Sequence, residues 1–482
     1  MTKYFLLFSF SLLMAFSVTT TVVAQEVHTN SIKTEKVSLK EKVKELPDTE
    51  AVKQPNLPNA LMVIPFVILL VMIATGPIFY QHFWEHNYPK VALLLGTITV
   101  AYYWFVLHDA HSLLHTAAEY FSFIALLASL FYASGGIMIK VDKKATPLLN
   151  IGILLFGAII ANFIGTTGAS MLLIRPFIKI NQDRIKPYLV VFFIFIVSNI
   201  GGALTPIGDP PLFLGFLRGI DFFWFVEHIW YIWLPTIAII LMIFYLFDIR
   251  NKGTESDRKY SGKIEFKGAK NLIYLLIIIA AVFIDPNVLS WVPSLAPLPI
   301  GIREIIQFSV VFFAMKTSDK DILRYNEFDS EPIREVAFLF IGIFATMIPA
   351  LQLISHEANV LGDELSVGVF YWSTGLLSGV LDNAPTYLNF LSAALGKFGL
   401  NVNNPADVKE FVVIDEIFLQ AISVAAVFFG AMTYIGNGPN FMVKSIVESA
   451  GIRMPSFFSY IIKYSLPILI PVFILVWIVF YY

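Results

Sequence analysis

Ser198-Asn199-Ile200-Gly201-Gly202-Ala203-Leu204-Thr205-Pro206-Ile207-Gly208-Asp209-Pro210-Pro211 interrupts an apolar run that begins near residue 188. Three glycines and three prolines within one potential membrane crossing must unwind the helix, and the freed backbone groups are tolerated at membrane depth only against other protein or a polar cavity. A carboxylate, Asp209, closes the stretch. Three further stretches share this character: Asn162-Phe163-Ile164-Gly165-Thr166-Thr167-Gly168-Ala169-Ser170, Ser378-Gly379-Val380-Leu381-Asp382-Asn383-Ala384-Pro385-Thr386, and Thr433-Tyr434-Ile435-Gly436-Asn437-Gly438-Pro439-Asn440. One break alone reads equally well as a kink or a close-packing point. Four in matched positions point to a built site.

The surrounding chain is that of a membrane protein. Of its 482 residues 57% are hydrophobic and only 14% charged, with a mean hydropathy of +0.73, against ~25% charged residues in soluble domains. The net charge of -2 gives no reason to expect nucleic acid, and the absence of cysteine excludes disulfides, thiol nucleophiles and thiolate metal sites. No nucleophile–base pair, phosphate loop or metal-ligand set suggests an enzyme or a resident cofactor. Lys3, the apolar stretch from Tyr4 to Phe16 and Val22-Val23-Ala24 before Gln25 read as a signal peptide over residues 1–24. Residues 25–58 are polar and Lys/Glu-rich, the composition of an exported tail.

Apolar runs near 60–80, 91–107, 119–139, 188–212, 222–247, 271–284, 302–315, 335–354, 411–436 and 457–481 are candidate crossings. Whether the stretches 148–174 and 366–391 also cross is decided by charge. If both are re-entrant hairpins and the mature N-terminus is external, 22 Lys and Arg residues fall inside and 4 (Arg218, Arg303, Lys397, Lys409) outside; if both cross, the split becomes 9 against 17. The positive-inside rule selects the hairpins. The expected fold is therefore an all-α polytopic membrane protein of two inverted repeats of five transmembrane helices, each with one re-entrant hairpin and one broken helix. The first repeat covers 59–247 (hairpin 148–174, broken helix 188–212), a cytoplasmic linker 248–270 follows, and the second repeat covers 271–482 (hairpin 366–391, broken helix 411–436). Inverted repeats place the substrate site near the bilayer midplane.

Asp209 and Asp382 each lie in an interrupted stretch with no Lys or Arg in the same segment. An intramembrane carboxylate is expensive unless it pairs or serves an ion path, and taken out of water it attracts a proton as readily as a metal ion. Either could instead cap a half-helix, a reading that suits Asp209, before Pro210 and Pro211, better than Asp382. Glu119, Asp285, Glu335, Asp415 and Glu416 sit at span ends, where interfacial solvation is expected. His108, Asp109, His111 and His115 form a cluster that reads as a solvated loop rather than a metal site.

The broken segment Gly201–Pro211, with a Gly-Thr-Thr-Gly hairpin before it and an Asp-Asn-Ala-Pro-Thr hairpin after it, resembles the ion transporter superfamily of divalent-anion/sodium symporters, citrate transporters, arsenite pumps and NhaD-type sodium/proton antiporters. The resemblance covers residues 60–482, and Asp209 with the Asp382–Thr386 tip makes it closest to the NhaD type. It implies a homodimer embedded in membrane lipid, an elevator-like motion of the hairpin-bearing domain, a bacterial inner-membrane location and a role in pH homeostasis. By position it also implies cation and proton ligands at Asp382, Asn383, Asp209, Ser198, Asn199, Thr205 and Asn437, with Asn162, Thr166 and Thr167 less directly matched. Relatives that bind carboxylates usually carry Ser-Asn-Thr at both hairpin tips, and this chain does not.

The expected activity is exchange of internal Na⁺ or Li⁺ for external H⁺, with Asp382 as the principal carboxylate. Sodium-coupled carboxylate uptake and arsenite efflux are the alternatives, the first opposed by two acids in the pocket. The charge count yields a test of sidedness: in this Cys-free chain, Lys179→Cys should react with an impermeant thiol reagent from the cytoplasmic side and Lys397→Cys from the exterior. Labelling of position 179 from the exterior would invert the topology.

Overall fold

A computed structural model of the chain describes residues 57–251 and 261–482, except 287, 290, 294, 296 and 297. The signal peptide and nearly all of the polar tail lie outside the described residues. The chain divides into two units, 1–61 and 62–482; of the first, residues 57–61 are described, ending at the start of a 3-10 turn, Ala60–Val63.

Helices dominate the second unit. α1 (Ile64–Phe79), α2 (Gln81–Leu107) and α3 (Ala110–Gly135) precede a short strand β1 (Met138–Val141) and a long helical element α4 (Pro147–Ile180). α5 (Pro187–Ile196), α6 (Pro210–Leu217) and α7 (Trp224–Asp248) follow, then β2 (Ile264–Lys267), α8 (Ala269–Val282), α9 (Ile302–Thr317), α10 (Lys320–Tyr325) and α11 (Glu331–Leu361). The chain ends with α12 (Val367–Val380), α13 (Asn383–Lys397), α14 (Pro405–Ile414), α15 (Glu416–Phe429), α16 (Gly438–Ser449) and α17 (Phe457–Phe480).

α4 is two arms, not one rod. Gly165 takes φ +75° and ψ 155° in its middle, a conformation open to glycine because it lacks a Cβ. Asn150 and Asn181 exchange side-chain hydrogen bonds of 2.9 and 2.8 Å, whereas an unbroken helix would hold residues 31 apart about 46 Å from each other. The chain therefore doubles back at 165. α12 and α13 double back likewise at Leu381–Asp382: Phe370 and Phe390 are in ring contact, and Lys397 Nζ donates to the Gly362 carbonyl at 2.8 Å.

The two hairpins open toward opposite ends of the bundle. At one end Arg184 pairs with Asp248 at 2.6 Å, Asn150 and Tyr188 also donate to Asp248, β1 pairs antiparallel with β2, and Arg175 reaches Glu327. The segments holding 140–149, 175–187, 248–270 and 316–334 thus converge there. The linker 248–270 is accordingly structured where described, since Asp248 ends α7 and residues 264–267 form β2. At the other end Arg218 pairs with Glu119 and donates to Asn403, Arg303 pairs with Asp285 at 2.9 Å and Glu304 at 2.7 Å, and Glu416 meets His228.

Three expectations are revised. Glu119, 6% exposed, is buried in an ion pair rather than solvated, and Asp285 is engaged by a buried arginine; an arginine 99 residues away in sequence removes the need for water. The crossing expected over 411–436 begins with a 100° bend between α14 and α15 at Asp415. Finally, α8 has 14 residues and α9 has 16, about 21 and 24 Å of helix against a hydrocarbon core of ~30 Å. Among the described residues seven helices are long and apolar enough to cross a membrane, or eight if the bent pair counts as one.

Asp248 is fully buried, so removing its partner leaves an uncompensated charge. Arg184→Ala should destabilise the protein by about 3–5 kcal/mol, and Arg334→Ala, which breaks an exposed pair with Glu331, by about 0–1 kcal/mol. Thermal unfolding of the detergent-solubilised variants measures both; equal melting temperatures would remove the Asp248 cluster as a stabilising feature.

Candidate functional site

Both broken segments unwind where the hairpin tips meet them. α5 ends at Ile196 and α6 starts at Pro210, with only a 3-10 turn, Ile200–Gly202, between them. α15 ends at Phe429 and α16 starts at Gly438, again across a 3-10 turn, Gly430–Met432.

The Asp209 carboxylate is the point on which these four pieces converge. It is 1% exposed. Oδ1 accepts from Thr166 Oγ1 of the first hairpin at 2.8 Å and from Asn437 Nδ2 of the second broken segment at 2.8 Å; Oδ2 accepts from Asn383 Nδ2 of the second hairpin at 2.6 Å. Among the described residues no Lys, Arg or His lies within ion-pair distance of it. The donors solvate the carboxylate without neutralising it.

The two halves of the site share a backbone pattern. Thr166 N donates to Gly208 O at 2.8 Å, and Asn383 N to Gly436 O at 3.2 Å. Gly208 N donates to Thr205 Oγ1, and Gly436 N to Thr433 Oγ1, both at 3.1 Å. Thr433, Gly436 and Asn437 stand 228 residues after Thr205, Gly208 and Asp209, so the Asp209–Asn437 bond joins two corresponding positions. In each loop a glycine is required: a Cβ at Gly208 would run into Gly202 O, and one at Gly436 would meet Gly430 O at 2.5 Å.

Asn199 donates to Ile194 O and to Asn440 Oδ1 at 2.6 Å, and Asn440 in turn donates to the Gly430 and Thr433 carbonyls. That leaves Asn199 Oδ1 and Asn383 Oδ1 buried with no hydrogen-bond donor. The two amides flank Gly430, whose Cβ position lies 3.0 Å from Asn199 Oδ1 and 3.4 Å from Asn383 Nδ2. Asn383 Oδ1, on the amide that donates to Asp209, and Asn199 Oδ1, on the other side of Gly430 from it, are neutral hard oxygens of the kind that suits a small cation.

The remaining residues singled out in the sequence take different places. Ser198 Oγ bonds to Ser170 Oγ at 2.7 Å, and its carbonyl accepts from Asn437. Thr205 Oγ1 donates to the Asn162 carbonyl at 2.6 Å. Asn162 spends both ends of its amide on backbone, donating to Gly201 O and accepting from Leu204 N, and so braces the first broken segment against the first hairpin. Thr167 is half-buried beside Thr166 and Gly208, lining a small void against α3.

The helix-cap role expected more readily of Asp209 falls to Asp382. Asp382 Oδ1 accepts from Ala384 N at 3.0 Å and caps α13, and the residue is half-buried; Asp209 makes no such cap bond. Asn440, Ser170 and Gly430 belong to the site although they were not among the candidate ligands; the first two stood in the quoted polar stretches, but their partners come from elsewhere in the chain. Among the described residues no group of three or more His, Asp or Glu could hold a metal ion, and Asp109 of the histidine cluster caps α3 through Ser112.

A cavity of about 290 Å³ lies at the Arg184 end, lined by Pro77, Ile78, Tyr434, Ile435, Lys444 and Phe457 among others. It comes within two residues of Asn437 along the chain. α16 packs there against α4 and α5.

The bundle of apolar helices around a buried polar centre is that of a polytopic helical membrane protein, and the relatives of the chain make it a secondary transporter. The chain belongs to the family described as "Putative citrate transport", which matches residues 55–481 and lies in the ion transporter superfamily. Two uncharacterized transporters from two strains of Mycobacterium tuberculosis are each 24% identical to it over 396 residues, covering 79% of this chain and 83% of the relative.

The glycine contacts give a direct test of the paired loops. Gly208→Ala and Gly436→Ala should both lower the yield of folded protein and its melting temperature, whereas Gly438→Ala, where a Cβ meets nothing within 4 Å, should be tolerated. Equal tolerance at all three positions would mean that the loops are not packed as described.

Proposed function

We propose that the chain exchanges Na⁺ or Li⁺ for H⁺, with Asp209 holding the proton and the cation in turn. The observation that carries this reading is a fully buried carboxylate with three side-chain donors from three elements and no cationic partner among the described residues. Such a group is costly as a bare charge, and a proton or a small cation each relieves that cost. Asn199 Oδ1 and Asn383 Oδ1 supply neutral oxygens for the cation, and they carry no charge that would compete for the proton. Binding of one excludes the other, which is the elementary requirement of exchange.

In this reading the two hairpins are re-entrant, the two halves are inverted repeats, and the Arg184 end, where most Lys and Arg residues gather, faces the cytoplasm. The hairpins and broken helices move together as an elevator-like body within a homodimer in a bacterial inner membrane. The family description favours a second reading, transport of citrate. An anionic pocket opposes it, since Asp209 would repel a tricarboxylate.

Asp209→Asn should abolish Na⁺- and Li⁺-dependent dissipation of a pH gradient in everted vesicles. Asp382→Asn should retain most of it, because Asn caps a helix about as well as Asp, whereas Asp382→Ala should cost about 1 kcal/mol of stability. Wild-type exchange by Asp209→Asn would refute the assignment. Citrate-dependent flux that survives Asp209→Asn would favour the second reading.

A further inference from the structure

The ribbon formed by β1 and β2 has two unlike faces. Side chains directly opposite each other in an antiparallel pair share a face, and successive ones alternate. Ile139 stands opposite Phe266 and Val141 opposite Ile264, so four apolar side chains lie on one face and Met138, Lys140, Glu265 and Lys267 on the other. The polar face is closed by its own charges: Glu265 pairs with Lys267 at 3.0 Å and with Lys140 at 3.8 Å. The apolar face has no such closure. Ile264 is 60% exposed and Phe266 48%, and of the ribbon residues only Met138 is buried.

Two strands with an uncovered apolar face are marginal in water and prone to pair with other chains. This ribbon is nevertheless tied to the Arg184 end of the bundle. A Cβ at Gly268 would collide with Gly136 O, Asn271 Nδ2 donates to Ala133 O at 3.1 Å, and Asn326 Nδ2 donates to the Gly135 and Ile137 carbonyls. The base of the ribbon is thereby fixed to the ends of α3 and α8.

Three observations indicate what covers the apolar face. β2 leads through Gly268 directly into α8, whose exposed Leu272, Ile273 and Leu276 begin one turn later, so the uncovered apolar surface continues along the chain into a helix of the bundle. α8 supplies only about 21 Å of a hydrocarbon core of ~30 Å, which brings β2 to the level where acyl chains give way to headgroups. Finally, segments 138–148 and 261–270 hold Lys140, Lys143, Lys144, Lys263, Lys267 and Lys270 against Asp142 and Glu265. Lys143, Lys144, Lys263 and Lys270 have no acidic partner among the described residues. Lysine clusters beside a membrane crossing are drawn to anionic lipid, and an apolar patch rimmed by lysines fits a lipid surface. A second copy of the chain fits it poorly, because it would bring the same lysines together.

We propose that the β1–β2 ribbon lies in the headgroup layer at the Arg184 end, with Ile264 and Phe266 turned toward the acyl chains and Lys143, Lys144, Lys263 and Lys270 holding the phosphates of anionic lipids. The proposal requires that the chain spans a membrane, and it is independent of which ion binds at Asp209.

The test places a nitroxide spin label on Ile264→Cys, Glu265→Cys, Phe266→Cys or Lys267→Cys, one at a time, in the otherwise Cys-free full-length protein. Each is reconstituted into vesicles of phosphatidylcholine with or without phosphatidylglycerol, and collisions with oxygen and with the water-soluble Ni-EDDA complex are measured by power saturation. With phosphatidylglycerol the ratio of oxygen to Ni-EDDA accessibility should be severalfold higher at 264 and 266 than at 265 and 267. That contrast should shrink in phosphatidylcholine alone, and likewise when Lys143, Lys144, Lys263 and Lys270 are all replaced by Gln. Equal ratios at the four positions would place the ribbon in water, and poor access of both reagents to 264 and 266 would mean that protein covers the face; either overturns the proposal. An alternation unchanged both by removing phosphatidylglycerol and by the lysine substitutions would overturn the assignment of anionic lipid as the partner.

Discussion

A carboxylate buried among amides and hydroxyls, with no cationic side chain at ion-pair distance among the described residues, is the constraint that organises this molecule. Asp209 can be matched only if a hairpin tip from each half and the opposite broken helix all reach it, so the four interruptions of regular structure must meet at one point. Each interruption also frees backbone groups that need partners in a region without water. The contacts Thr166 N to Gly208 O and Asn383 N to Gly436 O answer that need: each hairpin tip completes the backbone of the broken helix in its own half. The polar centre and the folding of the hairpins are therefore one problem with one solution.

The ends of the bundle serve the centre. At one end Asp248 gathers Arg184, Tyr188 and Asn150, which joins the mouth of the first hairpin to α7 and to the start of the first broken helix. At the other, Arg218 closes the second half of that helix against Glu119 of α3. These clusters bury their charges in pairs, whereas Asp209 is left unpaired among the described residues. The contrast separates charges that hold the structure from the charge available for work.

Much of this was legible in the chain. Gly, Pro and polar residues located all four interruptions, and the chain doubles back within 148–174 and 366–391, as the Asn150–Asn181 and Phe370–Phe390 contacts show. Which of the two aspartates caps a helix was not legible. Both precede a proline-containing first turn, the local pattern of a helix cap, and only the packing of distant elements decides that Asp382 turns to Ala384 while Asp209 turns to Thr166, Asn383 and Asn437. The Asn199–Asn440 bond and the Glu119–Arg218 pair span 241 and 99 residues, and no local spacing encodes them. The runs 271–284 and 302–315 matched α8 and α9 closely in length, but helices of 14 and 16 residues fall short of a hydrocarbon core of ~30 Å.

The central claim is that proton and cation share Asp209, and proton release on cation binding tests it most directly. Purified protein in weakly buffered detergent solution, titrated with NaCl or LiCl and followed with a pH indicator against a choline chloride control, should release protons as Na⁺ or Li⁺ saturates. That release should vanish in Asp209→Asn and persist in Asp382→Asn. Saturable Na⁺ binding without proton release, or release undiminished by Asp209→Asn, would contradict the account.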